Sequence, residues 1–309
     1  MWVNRTIRRV TALKICSTAV FLIVLVLVSG CIQTQEKTDS FVGGSEGLKL
    51  EFQNLPEIIV PGAPFDILVL ASNAGEADVP VNSIRFTLNN AATLGITEIT
   101  KGNTELLRGS QRIKDTLVPG ENLVMSWPNA KFTGTVLTEE QKVPIVVDAC
   151  YPYKTAAKVS KACIARGKEV CEPLGKKPVE SAGAPIKITE YSQSSVQLTK
   201  DTIQLNLDFK VKNAAGQTAY SNAARCLNLA DEELNKVTIT SLKLGLKEYF
   251  TQDTCEEVAI TLDNKGEGIG HCKLVIDTQN DFEEELTIKL DYIYKQHIST
   301  QVPILPTRT

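Results

Sequence analysis

The chain has 309 residues, with 33 Lys and Arg against 36 Asp and Glu, for a formal charge of −3. That acidic balance lacks the basic face that nucleic-acid binding requires, so no nucleic-acid partner is expected. Two histidines in the whole chain leave little material for histidine-based catalysis or metal binding.

At the N-terminus, Arg5, Arg8, Arg9 and Lys14 precede an uncharged run from Ile15 to Ile32. A basic segment followed by an apolar one is the layout of an export signal. The run closes on Val28-Ser29-Gly30-Cys31. This ending resembles the lipobox of prokaryotic lipoproteins, which has an aliphatic residue, two small residues and then the cysteine that takes the lipid. The resemblance implies cleavage after residue 30 and lipidation of Cys31. A two-chain lipid holds a protein stably at a membrane, which one acyl chain does not. The alternative is an uncleaved anchor helix, since the run is near the minimum length for spanning a bilayer. Either way residues 32–309 are expected outside the cytoplasmic membrane, held to it by lipid or by an N-terminal helix. Loss of residues 1–30 removes four basic residues and no acidic one, so the formal charge becomes −7.

Residues 31–47 are polar and rich in glycine, and they read as a flexible tether. Gly43-Gly44-Ser45-Glu46-Gly47 spells a nucleophile-elbow pattern, yet no apolar strand precedes it and no helical pattern follows. From Leu48 the period becomes two. Leu48, Leu50 and Phe52 alternate with polar residues, as do Phe65, Ile67, Val69 and Ala71, which end at Asn73-Ala74-Gly75. Further strands are expected over Ile84–Leu88, Leu123–Trp127 and Val143–Tyr153, with Val159–Ala165 as a hairpin return. One short helix is expected near Thr104–Ile113. The Gly-, Pro- and Lys-rich stretch 166–184 reads as an interdomain segment.

The second half repeats the first. Ile203, Leu205, Leu207, Phe209 and Val211 alternate and end at Asn213-Ala214-Ala215-Gly216, with Asn213 lying 140 residues after Asn73. Tyr151-Pro152-Tyr153-Lys154 returns as Tyr292-Ile293-Tyr294-Lys295 at an offset of 141. Strands are expected over 186–188, 237–244, 258–262 and 273–276. A final pair is expected over 286–294 and 298–304, and one helical turn over 230–234. The expectation is an all-β protein: two tandem immunoglobulin-like β-sandwich domains, 48–165 and 185–309, after an N-terminal signal or anchor helix. The strand ending in asparagine, alanine and glycine resembles the adhesion-related CARDB type of prokaryotic immunoglobulin-like module in both halves. That resemblance implies the fold and transfers no functional residue. Each tyrosine pair lies two apart, so it shares one strand face, either covering the sheet or forming a stacking surface for sugar rings or a partner.

Six cysteines remain after Cys16 and Cys31: Cys150, Cys163, Cys171, Cys226, Cys255 and Cys272. An even number in an exported chain reads as disulfides, with fifteen possible connectivities. The Asp263–Gly266 turn favours Cys255–Cys272, and a local pair among Cys150, Cys163 and Cys171 would leave the third to reach Cys226. Neither metal-ligand spacing nor a phosphate loop or dinucleotide fingerprint occurs, so no metal and no cofactor are expected. His271 and His297 show no sequence sign of a base with an orienting partner. The acid runs at Glu256-Glu257 and Asp281–Glu285 read as solvated faces. These features point to a non-enzymatic cell-envelope lipoprotein that binds, adheres or assembles, with other envelope proteins or glycans as partners. The alternatives are a subunit of a surface or secretion complex, and a carbohydrate-binding or hydrolytic surface protein.

Overall fold

A computed structural model describes residues 41–135, 139 and 141–306. The expected signal, Cys31 and the start of the expected tether lie outside the described residues. The first half contains β1 (Leu48–Gln53), β2 (Phe65–Asn73), β3 (Arg85–Asn89), β4 (Thr100–Gly102), β5 (Gln111–Ile113), β6 (Thr116–Val118), β7 (Asn122–Ala130) and β8 (Gln141–Ile164). Two short strands follow, β9 (Leu174–Lys177) and β10 (Glu180–Ser181). The second half contains β11 (Ile186–Thr199), β12 (Thr202–Asn213), β13 (Thr218–Ser221), β14 (Lys236–Leu244), β15 (Lys247–Glu248), β16 (Ala259–Thr261), β17 (Glu267–Asp277) and β18 (Phe282–Ile304). Single 3-10 turns at Ala91–Leu94 and Asp231–Glu233 are the helical elements among the described residues.

Each half closes on one long strand where a hairpin was expected. β8 runs unbroken for 24 residues and β18 for 23. Nothing local stops either strand, since Lys154-Thr155-Ala156-Ala157 and Lys295-Gln296-His297 contain no glycine, asparagine or proline to turn the chain. The two strands pair antiparallel from Phe282↔Ile164 to Ile304↔Gln141. They form the spine of a nine-stranded sheet that draws strands from both halves. The expected helix near 104–113 is also absent. Leu107 exchanges both main-chain hydrogen bonds with Val79 (2.9 and 3.0 Å), which commits that stretch to extended backbone.

Two further sheets cover the spine. One has the order β1-β2-β7, and the other β17-β12-β11-β9. Their apolar faces, for example Ile67, Val69 and Ala71 on β2 and Leu205, Leu207 and Phe209 on β12, are buried in one continuous core. The inner faces of β8 and β18 join that core. The described residues belong to one compact unit. Stretch 166–184 is built into it. β9 pairs with β11, β10 pairs with β8, and Cys171 is bonded to Cys163.

The halves share their local wiring as well as their strand pattern. Leu48 stands opposite Asn73, and Ile186 stands opposite Asn213. Asn73 N–H donates to Glu121 O, and Asn213 N–H donates to Gly266 O. Ala74 N–H donates to Gly47 O, and Ala214 N–H donates to Pro185 O, each at 2.8 Å. Thus β1, β2 and β7 correspond to β11, β12 and β17.

Candidate functional site

The tyrosines come together at the centre of the spine. Register places Tyr151 opposite Tyr294 and Tyr153 opposite Tyr292. The four rings meet edge-on or tilted, with centroids 5.8–6.4 Å apart. Each hydroxyl does the same work in both halves. Tyr153 donates to Asn73 Oδ1 and Tyr294 to Asn213 Oδ1, both at 3.0 Å. Tyr151 accepts from Leu48 N–H and Tyr292 from Ile186 N–H. Burial pushes all four phenols upward, Tyr294 to about 12. The rings are therefore a fold requirement, not a stacking platform. Trp127, the remaining tryptophan of the described chain, is buried too.

The six cysteines form Cys150–Cys226, Cys163–Cys171 and Cys255–Cys272. The last closes around the turn at Asp263, whose carboxylate accepts from Lys265 N–H and Glu267 N–H. Those two backbone donors hold the Asp263 carboxyl below the usual range.

His271 does have a carboxylate beside it, which the sequence did not signal. Its Nδ1 lies 2.7 Å from Asp208 Oδ1 across the β12–β17 ladder, and both side chains are exposed. The nearest serine in that row, Ser192, sits on β11 beyond Asp208, away from the imidazole. A nucleophile, base and carboxylate relay is therefore not assembled there. Much of the acid runs is ion-paired on the surface: Glu256 to Lys273, Asp281 to Arg166, Glu283 to Lys161 and Glu285 to Lys158. No group of three or more His, Cys, Asp or Glu suited to a metal ion occurs among the described residues. Ser45 lies in coil, without a strand before it or a helix after it. Arg166, which reads as the start of a linker, is a clamp. Its guanidinium donates to Asp281 Oδ1, Thr278 O and Lys200 O, tying the end of β8 to two strand turns of the second half.

The candidate site is an open groove of about 220 Å³ beside β1. It is lined by Glu46, Lys49, Leu50, Gln217, His297 and Ile298, among others. β1 forms one wall and the C-terminal part of β18 the other. Gln296 bridges them at one end through Nε2 to Leu48 O (2.7 Å). Further along β18, Ile59 joins the strand between Pro303 O and Leu305 N–H. Leu48 turns its N–H and C=O away from β2, toward Tyr151 and Gln296. Antiparallel alternation therefore turns the main-chain groups of Leu50 and Phe52 outward as well. On β18, the Ile59 N–H to Pro303 O bond sets the parity. His297, Ser299 and Gln301 present their main-chain groups to the groove. Two strand edges thus flank a slot lined by the half-buried apolar side chains of Leu50 and Ile298, with half-buried Phe52 next along β1. The chemistry on offer is main-chain hydrogen bonding plus an apolar contact.

Among the described residues no helix is long and apolar enough to cross a membrane. Comparison with protein-family models and with curated proteins finds no match.

Proposed function

We propose that this chain is a non-enzymatic envelope lipoprotein, anchored through Cys31, that presents two fused immunoglobulin-like modules outside the cytoplasmic membrane for binding or assembly. The observation that carries this reading is the pairing of all six cysteines downstream of the lipobox-like segment into three disulfides. Such a complete set persists in oxidising compartments and is rare in the cytosol. The repeated wiring of the two halves supports the two-module description, and the half-open groove beside β1 supports a role in assembly.

The test is the intact mass of the protein extracted from membranes. The expected chain begins at Cys31, carries a diacylglyceryl-type lipid, and gains six hydrogens on reduction. A full-length chain would replace the lipid anchor with a helical one, and six free thiols in the native protein would overturn the proposal. A second reading, a subunit of a surface or secretion complex, is favoured by the two unpaired strand edges facing the groove.

A further inference from the structure

The groove beside β1 has an occupied counterpart within the same chain. Phe52 stands opposite Val69, and Tyr191 stands opposite Phe209, 140 residues later. By the same correspondence Leu50 matches Ile188, and Ile298 on β18 matches Ala157 on β8. In the second half, β9 pairs along β11 at Tyr191–Ser194, and β10 pairs with β8 at Ala157–Lys158. Val179, between them, packs against the core, and Ser181 Oγ accepts from Ile188 N–H. Under that cover Ile188 is 2% exposed, Tyr191 1% and Ala157 0%. In the first half Leu50, Phe52 and Ile298 are only half-buried, and no strand covers them among the described residues.

We propose that this groove is a strand-addition site, which receives an extended segment of a partner polypeptide running antiparallel to β1. The segment takes the place that residues 177–181 take in the second half, because β1 ends at Gln53 whereas β11 runs on to Thr199. It pairs with the main chain of β1 near Phe52, then with β18 near Ile298 and Ser299, and inserts one aliphatic side chain over Leu50. Along β18 the stretch from Gln296 to Pro303, where Ile59 joins, spans seven positions, about 23 Å at 3.3 Å each.

The four upstream residues that match β9 by spacing are too close in sequence to Phe41 to take the part. These are residues 36–39, which stand 138 residues before β9. Yet the described chain begins with the Phe41 ring under the Lys158 ammonium, 5.7 Å from its nitrogen. Gly43 is held nearby by Glu76, which also holds Gly183. Along the spine, Lys158↔Thr287 is eleven pairs from Val147↔Ile298, a separation of about 36 Å. Two to five residues cannot span it. A second copy pairing β1 to β1 about Leu50 would need Leu48 main-chain groups already engaged by Tyr151 and Gln296.

This inference rests on the reading of the chain as an assembly subunit. The peptide arm below tests the groove wherever the protein resides, and the mass measurement above tests the address alone. The probe is the octapeptide Leu-Gly-Lys-Lys-Pro-Val-Glu-Ser, the sequence of residues 174–181, added to the purified oxidised full chain. Hydrogen exchange is expected to slow by about tenfold or more at the amides of Leu50, Phe52 and Ser299. The same peptide with Asp in place of Val should leave them unchanged. In native membranes, a photo-crosslinker replacing Gln53 should join the chain to a different polypeptide. That product should be lost with Ser299→Pro, which removes an outward N–H at the parity that Pro303 already occupies, and kept with Ser299→Ala. Absence of peptide protection overturns the proposal. So does a crosslink to residues 32–40 of the same chain, to a second copy, or to nothing.

Discussion

Asn73 is the residue on which the first half turns. It is buried, and its side chain makes three hydrogen bonds: Nδ2 to Ala77 O and Leu107 O, and Oδ1 from Tyr153. Gly75 and Gly120 press against the same point. A Cβ on Gly75 would collide with the Tyr153 hydroxyl, and one on Gly120 with Asn73 O. Removing the amide strands two carbonyls and a phenol in a low-dielectric interior, at roughly 1–3 kcal/mol for each group left unpaired. Asn213 makes the matching bonds to Gln217 O and Tyr294 and also accepts from Gly216 N–H, but it is only half-buried, so the groups its loss strands can reach water. We therefore expect Asn73→Ala to cost about 3 kcal/mol and Asn213→Ala about 1 kcal/mol in denaturant unfolding. Equal costs would mean that burial does not set the difference between these two residues. The sequence displayed both asparagines and both tyrosine pairs as a repeat. It could not show that they touch, because the contact between Asn73 and Tyr153 spans 80 residues and depends on how the strands stack.

At the scale of elements, what sequence displayed best was alternation and what it displayed worst was continuation. Period two in Leu48–Phe52, Phe65–Ala71 and Ile203–Val211 is set by burial of one face, so it survives folding as β1, β2 and β12. Whether a strand stops or runs on is decided by a partner far away. β8 and β18 continue because each supplies the other's edge over 22 paired positions. The Asp208–His271 contact and the Arg166 clamp were hidden for the same reason. The disulfides differ in what they constrain. Cys150–Cys226 closes 76 residues and ties β8 to the loop after β13, whereas Cys163–Cys171 closes 8 and Cys255–Cys272 closes 17. Loop-closure entropy then predicts losses of about 4.5, 2.5 and 3 kcal/mol when each pair is replaced by serines. Chemical denaturation of the three double variants should reproduce the order 150–226, 255–272, 163–171. Reversal of the first and last would show that native contacts, not chain entropy, dominate.

At the scale of the whole molecule, the described residues should unfold as one cooperative unit, because neither half completes its own core. β18 carries Val302 and Ile304 into the first half, and β8 carries Val159 and Ala162 into the second. Each buried aliphatic contributes roughly 1.5–3 kcal/mol, comparable with a large share of a domain's net stability. Residues 41–165 and 166–309 expressed separately should show unfolded amide spectra, and the intact chain should melt in one transition. Two transitions would mean that the modules are independent.

The tyrosine cluster gives the same cooperativity a pH signature. Tyrosine ionises near pH 10 when exposed. Burial raises Tyr151, Tyr153, Tyr191, Tyr292 and Tyr294 above that. Above pH 10 the folded chain therefore retains protons that the unfolded chain releases. Linkage then makes stability fall as pH rises, by up to about 1.4 kcal/mol per pH unit for each tyrosine, while below pH 10 this contribution is fully present. Because the four spine rings link both halves, their phenolate absorbance should appear together with loss of β circular dichroism, in one steep alkaline transition. Phenolate signal from all the tyrosines before the sheets unfold would contradict the buried cluster, and with it the fusion of the two halves through β8 and β18.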